Sequence, residues 1–451
     1  MKLLDNISNV YLLGIGGIGM SALAQYFMLN NKQVAGYDKN ESTITKDLEK
    51  KGLIVNFEDD TDQIPSIFQN AEQTLIVYTP AVPEDLKIFE FFKTHGFIVK
   101  KRAFVLGKIT EEMPTLAVAG THGKTTTSSI LAHLLKQSGY KITAFLGGIS
   151  ENYQSNFICD GNEVCVVEAD EYDRSFLELS PDFSIITSMD ADHLDIYKNP
   201  QELIKSFKEF VGKLPSEDHL LFKKGLDLKG KTLGIEKQAD FKVRNIQVEQ
   251  GFWTFDLEYE NKILSDFRLA LPGRHNVSNA AMALALAIMF GAEPQKLKKA
   301  LSSFKGVDRR FSYRFKSDDL IIIEDYAHHP EEIKAVYYAA KEMYADKKMM
   351  AVFQPHLYSR TQDFMDEFAE SLTLFDQVIL LPVYPARELP IPGIDSHTLL
   401  KKVKKENKKV VEKSELPEAL LQMDPEVVLF MGAGDIGKEI NPLLKVLRNE
   451  N

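Results

Sequence analysis

Short, unbroken apolar runs recur along the chain, several closed by glycine or by an acidic cluster and most followed by a stretch with helical spacing. Val10 to Leu13 leads into a glycine turn, and Met20 to Leu29 then has the spacing of a buried helix. Val34 to Tyr37 reads as a second strand ending at Asp38, and Leu75 to Tyr78 as another, closed by Thr79-Pro80. The same grammar restarts near Thr115, where Leu116 to Ala119 enters a glycine turn and a helix running to about Gln137. Val164 to Val167 and Ser184 to Thr187 continue that unit. A third unit begins around Phe311, with strands at Leu320 to Ile323, Met349 to Phe353, Gln377 to Leu381 and Val427 to Met431. Strands of this kind alternating with helical segments predict an α/β protein with parallel sheets.

Between about 215 and 275 the period changes to short alternating strands, such as Phe252 to Tyr259, which predicts a β-rich insertion in the second unit. Ala280 to Ala292 is apolar but too short to span a bilayer, and its spacing suits a buried helix. The lysine-rich stretch Lys401 to Lys409 is expected to be a solvated helix face.

A chain of 451 residues is too long for one core and fits two or three domains. Its net charge of −11 argues against bulk nucleic-acid binding, which needs a basic surface. A local cluster of cations and helix N-termini can still hold one anionic group within an acidic protein. The N-terminus is too polar for a signal peptide, and two cysteines, Cys159 and Cys165, supply neither a disulfide framework nor a thiolate metal site. Both are expected to be small buried hydrophobes. These features predict a cytoplasmic protein with no nucleic-acid or membrane partner.

The strongest chemical signal is Gly120-Thr121-His122-Gly123-Lys124-Thr125-Thr126, set between a strand and a helix. Such a loop aims backbone N–H groups at phosphate oxygens, a lysine reaches the terminal phosphates, and a threonine hydroxyl can serve Mg²⁺. Only two residues separate Gly120 from Gly123, where the general phosphate-loop pattern has four. The bland alternative is a tight strand–helix turn with an incidental lysine. Two acidic clusters follow apolar strands downstream: Glu168-Ala169-Asp170-Glu171 and Asp190-Ala191-Asp192-His193-Leu194-Asp195. Either alone would more often be a solvated loop, but both at strand ends below a phosphate loop point to a metal, with Glu168 and His193 as ligands beside Thr125.

The first glycine loop fits the dinucleotide fingerprint at Gly14, Gly16 and Gly19, with Asp38 near the distance for a ribose contact. A turn without ligand is the alternative. Gly432-x-Gly434-x-x-Gly437 has the same spacing but lies too near the chain end for the strand that should follow. In the third unit Asp325-Tyr326-Ala327-His328-His329-Pro330 and Gln354-Pro355-His356-Leu357-Tyr358-Ser359-Arg360-Thr361 follow apolar strands. With Arg360 pairing a carboxylate, these could line a pocket for a small zwitterion.

Taken in order with Gly273-Arg274-His275-Asn276 and Arg309-Arg310-Phe311, these motifs resemble the Mur ligases over almost the whole length of the chain. The resemblance implies three domains. Residues 1–107 would form a Rossmann-like domain for a UDP-linked substrate, 108–312 a central ATPase-type domain, and 313–451 a C-terminal Rossmann-like domain for an amino acid. It implies ATP and Mg²⁺ as cofactors, and an acyl phosphate made from the carboxylate of UDP-N-acetylmuramate, which L-alanine then attacks. By the same resemblance Lys124, Glu168, His193, Arg310 and His328 would be catalytic. His275, Asn276, Asn279, Arg310 and Asp325 would join the phosphate loop at ATP. Gly14, Gly16, Gly17, Ile18, Gly19, Met20, Asp38, Thr79 and Arg102 would hold the UDP substrate, and His328, Tyr358 and Arg360 the amino acid. A monomer or weak homodimer is expected. Two positions depart from the alanine-joining branch, which usually has Ser at Tyr172 and Arg at Leu357. The Glu-Ala-Asp-Glu-Tyr-Asp form also occurs in murein tripeptide ligases, which leaves that recycling activity as an alternative. An NAD(P)-dependent oxidoreductase built on the first glycine loop is a third.

Overall fold

The structure, a computed structural model, describes residues 6–190, 194–197, 199–249, 252–386 and 388–447. It contains three sheets. The first has five parallel strands in the order Ile54–Asn56, Gln33–Tyr37, Asn9–Leu13, Thr74–Tyr78, Ile98–Lys101. Strand 9–13 is buried throughout because helices cover both faces, which is why it reads as an unbroken apolar run.

The second sheet has ten strands. From one edge they run Lys262–Leu269, Phe252–Tyr259, Phe241–Glu249, Lys231–Ile235, Leu220–Lys223, Phe183–Ile186, Thr115–Ala119, Val164–Glu168, Ile142–Ser150 and Ser155–Cys159. The strands from 241–249 through 142–150 pair in parallel, and 155–159 closes the far edge antiparallel. The β-rich stretch expected between 215 and 275 is therefore hydrogen-bonded onto the edge of the central sheet and extends it. The third sheet has six strands: Ser312–Lys316, Ile321–Asp325, Val427–Met431, Met349–Phe353, Gln377–Leu380 and Lys408–Val410. Only 312–316 is antiparallel to its neighbour.

The chain divides into two compact units. The first comprises Met1–Gln247, Thr254–Arg268 and Ser278–Lys305, and the second Val248–Trp253, Leu269–Val277 and Gly306–Asn451. Within the first unit one apolar core joins the first two sheets, from Val10, Phe27 and Val105 to Phe145, Val167 and Phe176. The helix Ile18–Leu29 packs on strands 142–150 and 155–159 as well as on its own sheet, so it is buried on more than one face. Asn156 fastens its first turn, donating to the carbonyl of Ile18 and to Ser21 Oγ (3.0 Å) and accepting from Gln25 (3.3 Å). In the second unit separate cores cover the two faces of the third sheet.

Some expectations are corrected. Lys401 to Lys409 is not one helix face: the helix Ser396–Lys402 ends there, and Lys408 begins the edge strand 408–410. Cys165 is buried as expected, but Cys159, at the end of an edge strand, is exposed. The strand predicted at Leu320 to Ile323 runs on to Asp325, so that carboxylate belongs to the sheet and not to the loop after it. No helix among the described residues is long and apolar enough to cross a membrane.

Candidate active site

The loop Gly120 to Gly123 joins the central strand 115–119 to the helix Lys124–Gln137. Gly120 (φ +130°) and Gly123 (φ +82°) are both in backbone conformations that favour glycine. A Cβ at Gly120 would also lie 2.1 Å from Thr187 Oγ1, and one at Gly123 2.6 Å from Asn279 Oδ1. No side chain caps the helix, so its first N–H groups and positive dipole end face the loop. The segment after strand 183–186 braces the loop. Thr121 and Ser188 hydroxyls bond at 2.9 Å, Ser188 Oγ accepts from the N–H of His122 (2.9 Å), and Thr121 Oγ1 accepts from the N–H of Asp190 (3.1 Å). His122 Nε2 lies 3.7 Å from Asp190.

Lys124 folds back over this loop. Its ammonium donates to the Gly120 carbonyl at 2.7 Å and to both oxygens of Glu171, at 2.9 and 2.8 Å. Burial alone would lower the pKa of this amine, but the charges of Glu171, Asp170 and Glu168 outweigh it and raise the pKa. Glu168 ends strand 164–168, and its carboxylate accepts from the N–H of Gly147 at 3.1 Å. A Cβ on Gly147 would stand 2.3 Å from that carboxylate, so only glycine lets the two strands hold it there. Thr125 is buried in the first helical turn. Glu171 and Gly147 were not singled out by sequence, since neither motif nor spacing ties them to residues 47 and 21 positions away.

Mg²⁺ and ATP fit these residues. Neither loop glycine has room for a side chain, an uncapped helix start faces the loop, and hard oxygen donors stand at Thr125 and Glu168. Asn279, from the helix Arg274–Met289, adjoins Gly123. His193 lies outside the described residues.

The first glycine loop gathers the residues expected there. Asp38 accepts from the N–H of Gly16 at 2.8 Å, so its carboxylate closes the loop itself. The positions a Cβ would take at Gly14 and Gly19 lie 2.9 Å from the Thr79 methyl and 2.8 Å from the Arg102 guanidinium. Gly17 is the N-cap of the helix 18–29, and Ile18 and Met20 lie in its first turn.

In the second unit, strands 321–325 and 349–353 flank 427–431 and point the same way, so their following loops share one sheet edge. Asp325 accepts from the N–H groups of Phe311 and Ala327, both at 2.7 Å. Burial raises its pKa to about 6, against the lowering effects of Arg310 and these two bonds. Arg310 stacks on Tyr326, 5.0 Å from the ring centre. Arg309 pairs with Glu324 (2.8 Å) and donates to the carbonyls of Gly432 (2.7 Å) and Gly434 (3.0 Å), which gives the C-terminal glycine run a structural task. His328 Nδ1 lies 2.9 Å from the Tyr326 carbonyl and 3.2 Å from Glu332. His356 stacks on Tyr384, and Arg360 is buried in the helix Tyr358–Asp363. Leu357, just before that helix, has φ +70°, a strained value for leucine. His275 and Asn276 open the helix 274–289, where Asn276 donates to the Pro272 carbonyl at 2.7 Å.

Family models agree with this layout. A model described as "Mur ligase family, catalytic domain" matches residues 9–113, "Mur ligase middle domain" matches 118–287, and "Mur ligase, glutamate ligase domain" matches 309–434. The chain belongs to the Mur ligase family. Among Mur ligases it is 54% identical over 451 residues to the UDP-N-acetylmuramate–L-alanine ligase of Christiangramia forsetii, covering 100% of each chain. The enzyme of the same name from Flavobacterium psychrophilum is 51% identical over 444 residues, covering 98% of this chain and 99% of that one. Among solved structures, the UDP-N-acetylmuramate–alanine ligase of Thermotoga maritima matches with a TM-score of 0.83 at 29% identity, over 98% of this chain and 100% of that one. A murein peptide ligase from Psychrobacter arcticus matches with a TM-score of 0.73 over 98% and 99%, but at 21% identity it speaks to the Mur ligase fold alone.

Proposed function

We propose that this chain joins L-alanine to the lactyl carboxylate of UDP-N-acetylmuramate at the expense of ATP, giving UDP-N-acetylmuramoyl-L-alanine, ADP and phosphate for peptidoglycan synthesis. Family membership, and full-length relatives that carry the alanine-ligase name at 54% and 51% identity, support this substrate pair over the tripeptide and oxidoreductase alternatives. What carries the chemistry is the unprotected helix start at Gly123 with the Lys124 ammonium held over the loop and Glu168 at the next strand end.

The division of labour assigns the UDP substrate to residues 1–107, ATP to 108–312 and alanine to 313–451. A carboxylate acylates poorly, so a lactyl oxygen attacks the γ-phosphorus and ADP leaves. The alanine nitrogen then attacks the acyl carbon, loses a proton, and phosphate departs. Lys124 and the loop N–H groups hold the phosphates in line and neutralise charge that develops on them. Thr125, Glu168 and His193 would hold Mg²⁺, which when bound supplies further charge neutralisation at the phosphates. His275, Asn276, Asn279 and Asp325 would contact the adenosine, Arg310 the phosphates, and His328, Tyr358 and Arg360 the amino acid. The nucleotide-linked substrate places the activity in the cytoplasm. Phosphate release from ATP should require UDP-N-acetylmuramate and L-alanine together. Release driven by the murein tripeptide but not by alanine would move the chain to the recycling reaction.

A further inference from the structure

Glu171 has no part in the assignments above, yet it is the most completely buried acid of the phosphate-loop region, with none of its side chain exposed. Both carboxylate oxygens accept from the Lys124 ammonium, which also donates to the Gly120 carbonyl (2.7 Å) and, more weakly, to that of Thr121 (3.5 Å). The surrounding backbone is built to keep the carboxylate there. The Glu171 carbonyl accepts from Tyr197 Oη and from the N–H of Arg174 (2.9 Å), and the Asp170 carbonyl accepts from the N–H of Phe176 (2.9 Å). Phe176 is itself buried against Phe207 and Phe210. Asp173 and Arg174 take left-handed backbone values (φ +52° and +53°) to let the chain turn so sharply, and non-glycine residues adopt these only where the surroundings require it.

An ammonium has three protons, and here they are already shared among three close acceptors and the more distant Thr121 carbonyl (3.5 Å). A phosphate oxygen approaching Lys124 must therefore displace one of them. The Gly120 and Thr121 carbonyls are fixed in the loop backbone, and the contact to Thr121 is already long at 3.5 Å, so the close side-chain contact that can yield is one of the two to Glu171. We propose that Glu171 is a positioning residue for nucleotide binding: its carboxylate aims and neutralises Lys124 over the phosphate loop and gives up one hydrogen bond to a nucleotide phosphate that reaches the lysine. This rests on the nucleotide assignment of the loop and extends it. An anion in that position opposes phosphate binding by competing for the lysine, while keeping the amine aimed for the transfer step. Affinity and turnover are thus set against each other at one residue.

The test measures binding of a non-hydrolysable ATP analogue with Mg²⁺ by calorimetry, together with kcat and KM for ATP, on the full-length chain. Glu171→Gln should bind the analogue about three- to tenfold more tightly and lose about tenfold or more in kcat, since its amide offers the ammonium only one acceptor. Glu171→Asp keeps the charge but is one methylene shorter, and should fall between wild type and Glu171→Gln on both scales. It also keeps the test usable if the glutamine variant does not fold. With Lys124→Met as background, Glu171→Gln should change affinity less than about twofold, because the competition has lost its object. Unchanged affinity and kcat in Glu171→Gln, an intermediate not seen with Asp, or an equal effect in the Lys124→Met background would overturn the proposal. If wild type itself bound no analogue, the nucleotide assignment would fall with it, whereas normal wild-type binding with silent Glu171 variants would remove this inference alone.

Discussion

The Lys101 ammonium and the Asp173 carboxylate lie 3.0 Å apart, joining the last strand of the first sheet to the turn that follows the acidic cluster at 168–171. Lys101 directly precedes Arg102, whose guanidinium covers Gly19, and Asp173 follows Glu171 by two residues. One surface pair thus ties the neighbourhoods of both glycine loops. Both side chains are partly exposed, 48% and 32%, so the pair itself contributes little, about 0–1 kcal/mol. The left-handed backbone at Asp173 matters more. Asp173→Asn should leave stability to urea within about 1 kcal/mol of wild type, because asparagine tolerates that conformation. Asp173→Val should cost about 1–3 kcal/mol, because a β-branched residue does not. Equal losses in the two variants would mean that charge, not backbone, decides the position.

Gly147 offers a sharper test of the acidic site. Its missing side chain is what allows the Glu168 carboxylate to lie where it does, 3.1 Å from its N–H. Gly147→Ala should push that carboxylate aside and lower turnover by roughly a hundredfold, with a higher Mg²⁺ concentration needed for half-maximal rate. Melting should change little, because other bonds keep the strands paired. A variant with normal Mg²⁺ dependence would separate Glu168 from the metal.

Lys124 and Glu171 form a buried pair, and breaking it from either side leaves a charge without compensation. Lys124→Met should abolish turnover and destabilise the fold by about 3–5 kcal/mol at neutral pH. Adding Glu171→Gln should recover most of that stability and none of the activity. UDP-substrate binding should survive in the double variant, since that substrate is assigned to the first sheet and not to the phosphate loop. Denaturant melts and substrate titrations read the two effects separately. A single variant as stable as wild type would show the pair to be solvated in solution.

What the sequence disclosed follows from what parallel sheets demand. Strands 116–119, 164–167 and 427–431 are covered on both faces, so each is an apolar run, and the chemistry sits at the first polar residue after it. Local turn chemistry made the two glycine loops visible as well. Contacts that depend on register between distant segments left no such trace. Nothing within a motif announces that Asn156 will fasten a helix 138 residues earlier, or that Glu171 will hold Lys124. Alternation between 215 and 275 showed half-exposed strands but not which sheet edge they join. The Asp38 carboxylate, read from spacing as a ribose contact, also accepts from Gly16, a bond that spacing alone does not foretell.

His133 connects the phosphate-loop helix to stability at low pH. It sits ten residues into that helix, almost wholly buried, with Nδ1 2.8 Å from Tyr153 Oη and Nε2 3.0 Å from the Ala300 carbonyl and 2.9 Å from Ser303 Oγ. Burial lowers its pKa to about 4, despite the opposing pull of the Ala300 carbonyl. In the unfolded chain the imidazole takes up a proton near pH 6.5, so between pH 6.5 and 4 the unfolded state binds more protons than the folded one. The stabilisation from keeping this ring neutral is therefore complete above pH 6.5 and is lost as pH falls through 4. At pH 5 the loss should be about 2 kcal/mol relative to pH 7. His133→Gln keeps a donor and an acceptor but cannot titrate. Carboxylates titrate alike in both proteins, so the gap between their urea-unfolding free energies at pH 7 and pH 5 isolates the histidine. The gap should narrow by about 2 kcal/mol on acidification, and a constant gap would mean the ring is protonated in the native fold.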